Sequence, residues 1–337
     1  MWKIFWTAIN AVMPIILLIF VGYTLHKVGF LSKEFLKNGN KFVFKVCLPC
    51  TLFVNSYEID SLADLRLDLV AYCVVTIVIL FTLGMAVSVA ATKIPQRRGA
   101  MHQCVFRSNF AVIGMPLAAT LGGSGAEGLA AMAAMVSIPL FNALSVVALS
   151  IYNDKAKKIS IWQIIKDIIK NPLILGVLAG VVCVIIREIQ RAVFGDVVFS
   201  LSVHTKFLYT TVKNIKSIAS PFALIVMGGM FEFSAVKGLF KEIVFGTFMR
   251  SLVAPAIGVG LAVVLTVLGV LNFGSNEYTV LIGLFGAPVA VASGIMAEQM
   301  GADGQLAAQY VIWTSISSMF TIVIIVGTMM ALGLVAV

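Results

Sequence analysis

The chain has 337 residues, of which 60% are hydrophobic and only 12% charged. Soluble domains carry about 25% charged residues, so this composition, with a mean hydropathy of +1.04, excludes an ordinary soluble fold and indicates a bilayer protein. The net charge of +9 does not imply a nucleic-acid partner, because the basic residues fall into alternate connections between apolar stretches.

A membrane span needs about 20 mostly apolar residues. Ten are predicted, at 4–26, 38–57, 67–92, 104–122, 128–152, 172–189, 213–231, 242–271, 278–300 and 305–334. The first follows Met1-Trp2-Lys3 and is too long for a signal-peptide core, so it reads as helix 1. Lys27, Lys33, Lys37 and Lys41 lead into helix 2, whereas Glu58, Asp60 and Asp64 make the next connection acidic. Lys93, Arg97 and Arg98 precede helix 4, and Gly122-Gly123-Ser124-Gly125 suits a tight connection to helix 5. Between helices 5 and 6, the stretch 157–170 spaces its apolar residues helically with lysines opposite, as expected of a short helix on the leaflet surface. Lys237 and Lys241 separate helices 7 and 8. By the positive-inside rule both termini are extracytoplasmic and the lysine-rich connections cytoplasmic. Arg187, Arg191, Lys206, Lys213 and Lys216, around the connection of helices 6 and 7, run against that pattern.

Comparing the chain with itself shows Gly114, Pro116, Ala118 and Gly122 recurring 172 residues later as Gly286, Pro288, Ala290 and Gly294. The same offset relates Pro49, Leu52 and Val54 to Pro221, Leu224 and Val226. The expected architecture is therefore all-α: two five-helix repeats, 1–152 and 172–337, joined by the amphipathic linker 153–171. An odd number of helices per copy makes the repeats inverted, a recurrent plan of secondary transporters.

Proline within a helix removes a backbone hydrogen bond, and a nearby glycine eases a non-helical backbone. Such backbone survives at membrane depth only inside protein or beside a wet cavity. Helices 4 and 9 are thus expected to break at Pro116 and Pro288, presenting two half-helix N-termini that favour an anion. Asn109, seven residues before Pro116, shares its face and is a candidate substrate contact, as are Asn142 and Gln309. Gln309, Trp313 and Ser317 form one polar stripe on helix 10. The candidate substrate-binding set is Asn109, Gly114, Pro116, Asn142, Gly286, Pro288 and Gln309. The candidate functional charges inside predicted spans are Lys45, Arg107, Arg250 and Glu298. Arg107 either draws an anion into the cytoplasmic vestibule or snorkels to headgroups. Glu298 is the one plausible intramembrane acid and the candidate for proton coupling.

Cys47-Leu48-Pro49-Cys50 has redox-motif spacing but lies in an apolar helix, so packing is expected of it. No metal-ligand spacing, phosphate loop or catalytic constellation is present, so neither cofactor, metal nor enzyme activity is expected.

Several segments together resemble the auxin efflux carrier family. They are Pro14-Ile15 and Gly22-Tyr23 in helix 1, Asn40-Lys41-Phe42-Val43 with Leu48-Pro49 in helix 2, Asn109 with Gly114-Met115-Pro116, and Pro288 with Ala297-Glu298. The bacterial members of that family are organic-acid permeases. The resemblance implies the ten-helix fold of bile-acid, arsenite and riboflavin transporters, with helices 4 and 9 crossed at their breaks. It also implies an elevator division, in which helices 1, 2, 6 and 7 form a scaffold, with a homodimer through it, and helices 3–5 and 8–10 carry substrate. The long cytoplasmic loop of the plant carriers is absent, which favours a small carrier in a bacterial inner membrane. The expected partners are a small mono- or dicarboxylate, a proton or sodium ion, and lipid. The alternatives are a sodium-coupled carrier of bile-acid-like amphipaths and a ligand sensor that does not transport.

Overall fold

A computed structural model describes residues 2–58, 66–152, 170–232 and 235–335. The surface helix expected at 157–170 and the acidic pair Asp60 and Asp64 lie outside those residues, apart from Lys170.

The described chain is helical: α1 Trp2–Lys27, α2 Lys33–Phe42, α3 Leu48–Tyr57, α4 Leu67–Ala91, α5 Pro95–Phe106, α6 Met115–Ile151, α7 Pro172–Phe194, α8 Leu201–His204, α9 Lys206–Gly229, α10 Ala235–Phe248, α11 Ala254–Val267, α12 Ser275–Gly286, α13 Ala292–Gln299 and α14 Gly304–Ala331. Among the described residues six stretches are long and apolar enough to cross a membrane: Leu67–Ala91, Pro95–Gly123, Gly125–Ile151, Pro172–Phe194, Val236–Val267 and Gly304–Ala331. They overlap predicted spans 3, 4, 5, 6, 8 and 10, with helix 4 starting at Pro95, nine residues before the predicted 104. Spans 1, 2, 7 and 9 correspond to α1, α2–α3, α9 and the split pair α12–α13.

Local chemistry sets several helix starts. Ser32 Oγ accepts the Phe35 amide at 3.1 Å, Asn171 Oδ1 that of Leu173 at 3.0 Å and Asp303 Oδ1 that of Leu306 at 2.9 Å. Each satisfies an amide that a helix start would leave without an acceptor. The glycine run between predicted helices 4 and 5 turns at Gly123, whose φ of 64° and ψ of −154° suit glycine alone.

Three prolines follow one pattern. Pro49, Pro116 and Pro255 each lie two residues beyond a wide π-turn, at Val43–Cys47, Phe110–Gly114 and Met249–Val253. A proline ring clashes with the carbonyl four residues earlier, here that of Lys45, Val112 or Ser251. Each of these lies at the centre of its π-turn, where the extra residue moves the carbonyl clear of the ring. Pro116 therefore does not break helix 4, contrary to the expectation. The break falls at Arg107–Asn109, where Arg107 is extended (φ −81°, ψ 122°) and Asn109 leaves the helical region (φ −82°, ψ 45°). Helix 9 does break at Pro288, between Gly286 and Ala292. The two first halves have 12 residues each; they start 180 residues apart, at Pro95 and Ser275, and end 180 apart, at Phe106 and Gly286. The breaks thus do not follow the 172-residue offset of the Gly-x-Pro pairs.

The two broken elements run antiparallel and cross. At one end the Asp303 amide donates to Gln96 O at 3.0 Å; at the other the Asn276 side chain lies against Gly122 and Gly125. Midway, the Asn109 amide donates to Pro288 O at 2.8 Å, and Gly114 and Gly283 press backbone on backbone. A Cβ at either glycine would collide with the carbonyl of the other, so glycine is required there.

Around this crossing, α1 packs on α9 and α3 packs on α7 and α9. Glycines make both approaches close: Gly22 and Gly228 face the carbonyls of Ile225 and Ile19, and Gly176 and Gly180, four residues apart, face those of Pro49 and Phe53. One buried apolar cluster includes Ile19, Leu52, Val226 and Ile295; another includes Leu80, Phe110, Phe141 and Leu284.

Candidate functional site

The two crossed breaks leave four helix ends in the interior. The C-terminal ends of α5 and α12 converge on Arg250, whose side chain is fully buried. Its Nε and Nη2 donate to Ala287 O at 3.0 and 2.6 Å, Nη2 also reaches Leu284 O at 3.4 Å, and Nη1 reaches Phe106 O at 3.5 Å. A cation placed on the negative ends of two helix dipoles supplies the donors that their last carbonyls lack. Arg250 is thus a structural clamp on the crossing.

The other two ends are N-terminal, and both reach a single cavity of about 710 Å³. Its floor comprises Arg107, Ser108 and Asn109 from the first break and Ala290, Val291 and Ala292 from the second. Ala111 and Val112, among the first residues of the second half of helix 4, line it too, and helix starts present amides without intrahelical acceptors. The walls are mostly apolar, from Leu48 and Leu52 of α3, Met132, Met135 and Phe141 of α6, and Ala223 of α9. At the far end stand Glu58 and Lys216, whose side chains are 40% and 28% exposed; Arg107 is 3% exposed. The cavity therefore runs from a charged, solvated mouth to a buried floor.

Arg107 governs the electrostatics of that floor. Nη2 donates to Asn142 Oδ1 at 2.7 Å and Nη1 lies against Met296 Sδ. With the Gln103 amide oriented to satisfy both of its ends, its oxygen accepts from Nη1 at 2.7 Å and its nitrogen donates to Ser293 O at 3.3 Å. All these partners are neutral, and no ion pair within 4.0 Å joins Arg107 to a carboxylate of the described residues. A buried cation without a counter-charge is costly. Beside it, Asn109 Nδ2 and Ser108 Oγ are buried and have no hydrogen-bond partner. The floor thus gathers an uncompensated cation, two unpartnered polar groups and two positive helix ends, and an anion satisfies all of them.

The structure brings Asn109, Asn142 and Arg107 together at the cavity. Gly114 lies just behind the floor in the crossing contact, Pro288 contributes its carbonyl to Asn109, and Gly286 ends α12 beneath; none of the three lines the space. Pro116 and Gln309 are also outside it. The buried Gln309 accepts from Trp313 Nε1 at 3.0 Å within helix 10, while its Nε2 is buried without a hydrogen-bond partner. Arg107 neither snorkels nor lines a separate vestibule, because it is held inward by Asn142. Glu298 is exposed near the end of α13 and touches only a small second pocket of about 20 Å³ with Asn40 and Gln305. Sequence reasoning overlooked Ser108, the role of Arg250 and the cavity-facing methionines. The consecutive Arg107-Ser108-Asn109, three polar residues in an apolar span, was the available signal for the break.

The chain belongs to the auxin efflux carrier family. The match, to a family described as "Membrane transport protein", spans residues 7–326. No curated protein matches the chain. Family and apolar helices together make it an integral membrane transporter, consistent with a deep polar site inside an apolar bundle.

Proposed function

We propose that the protein is a secondary active carrier of small organic anions, mono- or dicarboxylates including auxin-like acids, working by elevator-type alternating access. The uncompensated Arg107 at the buried end of a cavity with mostly apolar walls is the observation that carries this reading. An arriving carboxylate there gains charge-assisted hydrogen bonds from Arg107 and a donor from Asn109, beside two helix N-termini. In this proposal the chain has ten spans in two inverted five-helix repeats, and the antiparallel crossing and the equal 12-residue first halves support it. The cavity lies between α3 and α9 on one side and the breaks with α6 on the other, where sliding of the second group past the first would carry bound ligand across. With lysine-rich connections in the cytoplasm, its mouth faces outward.

The test is uptake of labelled mono- and dicarboxylates into proteoliposomes under proton, sodium and voltage gradients. Uptake that requires Arg107 supports the proposal. The proposal is wrong if folded protein moves no carboxylate under any of these gradients.

A further inference from the structure

The basic residues that ran against the charge pattern are partly accounted for at the mouth. Lys213 Nζ lies 3.2 Å from Glu58 Oε1, Lys216 Nζ 3.1 Å from Oε2, and the Tyr209 hydroxyl donates to Oε1 at 3.0 Å. Positions 209, 213 and 216 share one face of α9, so three donors from one helix converge on one carboxylate. The site is braced: the Tyr209 and Tyr57 rings lie 5.0 Å apart, and the Arg187 guanidinium sits 4.7 Å over Tyr57. Among the described residues two lysines face a single acid, a positive excess there, and Lys216 and Glu58 line the same cavity as Arg107. The chemistry that holds this side chain is the chemistry that recognises a free carboxylate.

We propose that Lys213, Lys216 and the Tyr209 hydroxyl form a second carboxylate subsite at the cavity mouth, and that Glu58 occupies it in the empty protein as a tethered competitor. An incoming carboxylate displaces Glu58 onto solvent before moving to the floor, and a dicarboxylate engages mouth and floor in succession. Burial opposes ionisation of Glu58, but the two lysines and the tyrosine outweigh it and hold its carboxyl below the ordinary range, which keeps the competitor charged. This inference rests on the proposed anion site at Arg107, and its test separates the two.

The experiment is equilibrium binding of radiolabelled succinate to the purified full-length protein at constant ionic strength. Unfolding temperature without succinate serves as the folding control for every variant. Removing the competitor in Glu58→Gln is expected to tighten binding about threefold, because exposed ion pairs are individually weak. Adding Lys213→Gln and Lys216→Gln to that variant is expected to abolish the gain. Glu58→Asp, which retains the charge, should bind as the wild type does. Unchanged affinity in Glu58→Gln, or a gain that survives loss of both lysines, overturns the mouth subsite. If Arg107→Gln weakens succinate binding while Glu58→Gln changes nothing, the mouth inference alone fails. If Arg107→Gln binds normally while the Glu58 and lysine effects appear, the floor reading fails and the mouth subsite stands. Failure of succinate to bind both the wild type and Glu58→Gln refutes both.

Discussion

Replacing Arg107 with glutamine tests the central electrostatic argument because it predicts opposite signs for two measurements. The side chain is 3% exposed and its partners are neutral: the Asn142 oxygen at 2.7 Å, the Gln103 amide and Met296. In the empty protein the charge therefore bears a desolvation cost without a matching ion pair, a penalty of several kcal/mol per buried ion after relaxation. Glutamine removes that cost and keeps a donor towards Asn142, so the unfolding temperature without ligand should stay level or rise. Binding should move the other way. Hydrogen bonds to charged groups contribute about 1.5–3 kcal/mol, and about 1.4 kcal/mol is tenfold in affinity. Loss of the charged donor should therefore weaken carboxylate binding by roughly tenfold to somewhat over a hundredfold. Thermal unfolding without ligand and proteoliposome uptake with the best-transported organic acid give the two readouts. A marked fall in unfolding temperature together with unchanged uptake would refute the reasoning, since Arg107 would then be a structural residue.

The second buried arginine should behave in the reverse manner. Arg250→Ala leaves the carbonyls of Phe106, Leu284 and Ala287 without their donor, at about 1–3 kcal/mol for each buried orphan, and should lower the unfolding temperature far more than Arg107→Gln. Alanine at Gly114 or Gly283 places a methyl against the opposing carbonyl; the forced separation should cost about 1–3 kcal/mol and suppress uptake, read by the same two assays. Pro116→Ala should leave succinate affinity within about twofold (~0.4 kcal/mol) of wild type, because the break lies at Arg107–Asn109 and the π-turn accommodates that proline; a loss of binding would return the break to Pro116. Because its lysine and tyrosine partners hold the Glu58 carboxyl below its ordinary value, its contribution to stability is present above the unfolded-state value and disappears as pH falls through the folded one. The unfolding temperature of wild type should therefore converge on that of Glu58→Gln in acid, as a pH series of melts would show.

Much of the frame was legible because it follows from local rules. Lipid demands runs of apolar residues, and the six described stretches long and apolar enough to cross a membrane overlap predicted spans. A glycine run marks a chain reversal, and Gly123 takes the backbone angles only glycine tolerates. Pro288 lies in a real break, and Asn109 reaches the cavity. The errors share one cause: each depended on what a neighbouring segment supplies. Pro116 and Pro288 look alike in sequence, yet one is absorbed by a π-turn and the other lies in open backbone whose carbonyl receives the Asn109 amide and whose preceding helix end receives Arg250. Glu298 looked internal because its flanks are apolar, but the end of α13 is at the surface. Gln309 is buried in helix 10 away from the cavity, a placement its own helix could not reveal.

By itself, then, the sequence determined a helical membrane protein with polar groups deep in two interrupted segments, because hydrophobic length and proline chemistry are properties of a short stretch of chain. Only the tertiary structure decided where helix 4 opens, that Arg250 clamps helix ends while Arg107 is left without a counter-charge, and that both breaks meet one cavity. Those outcomes depend on which groups from distant segments come within hydrogen-bonding distance. A buried charge has the same identity in the sequence whether a partner awaits it or not.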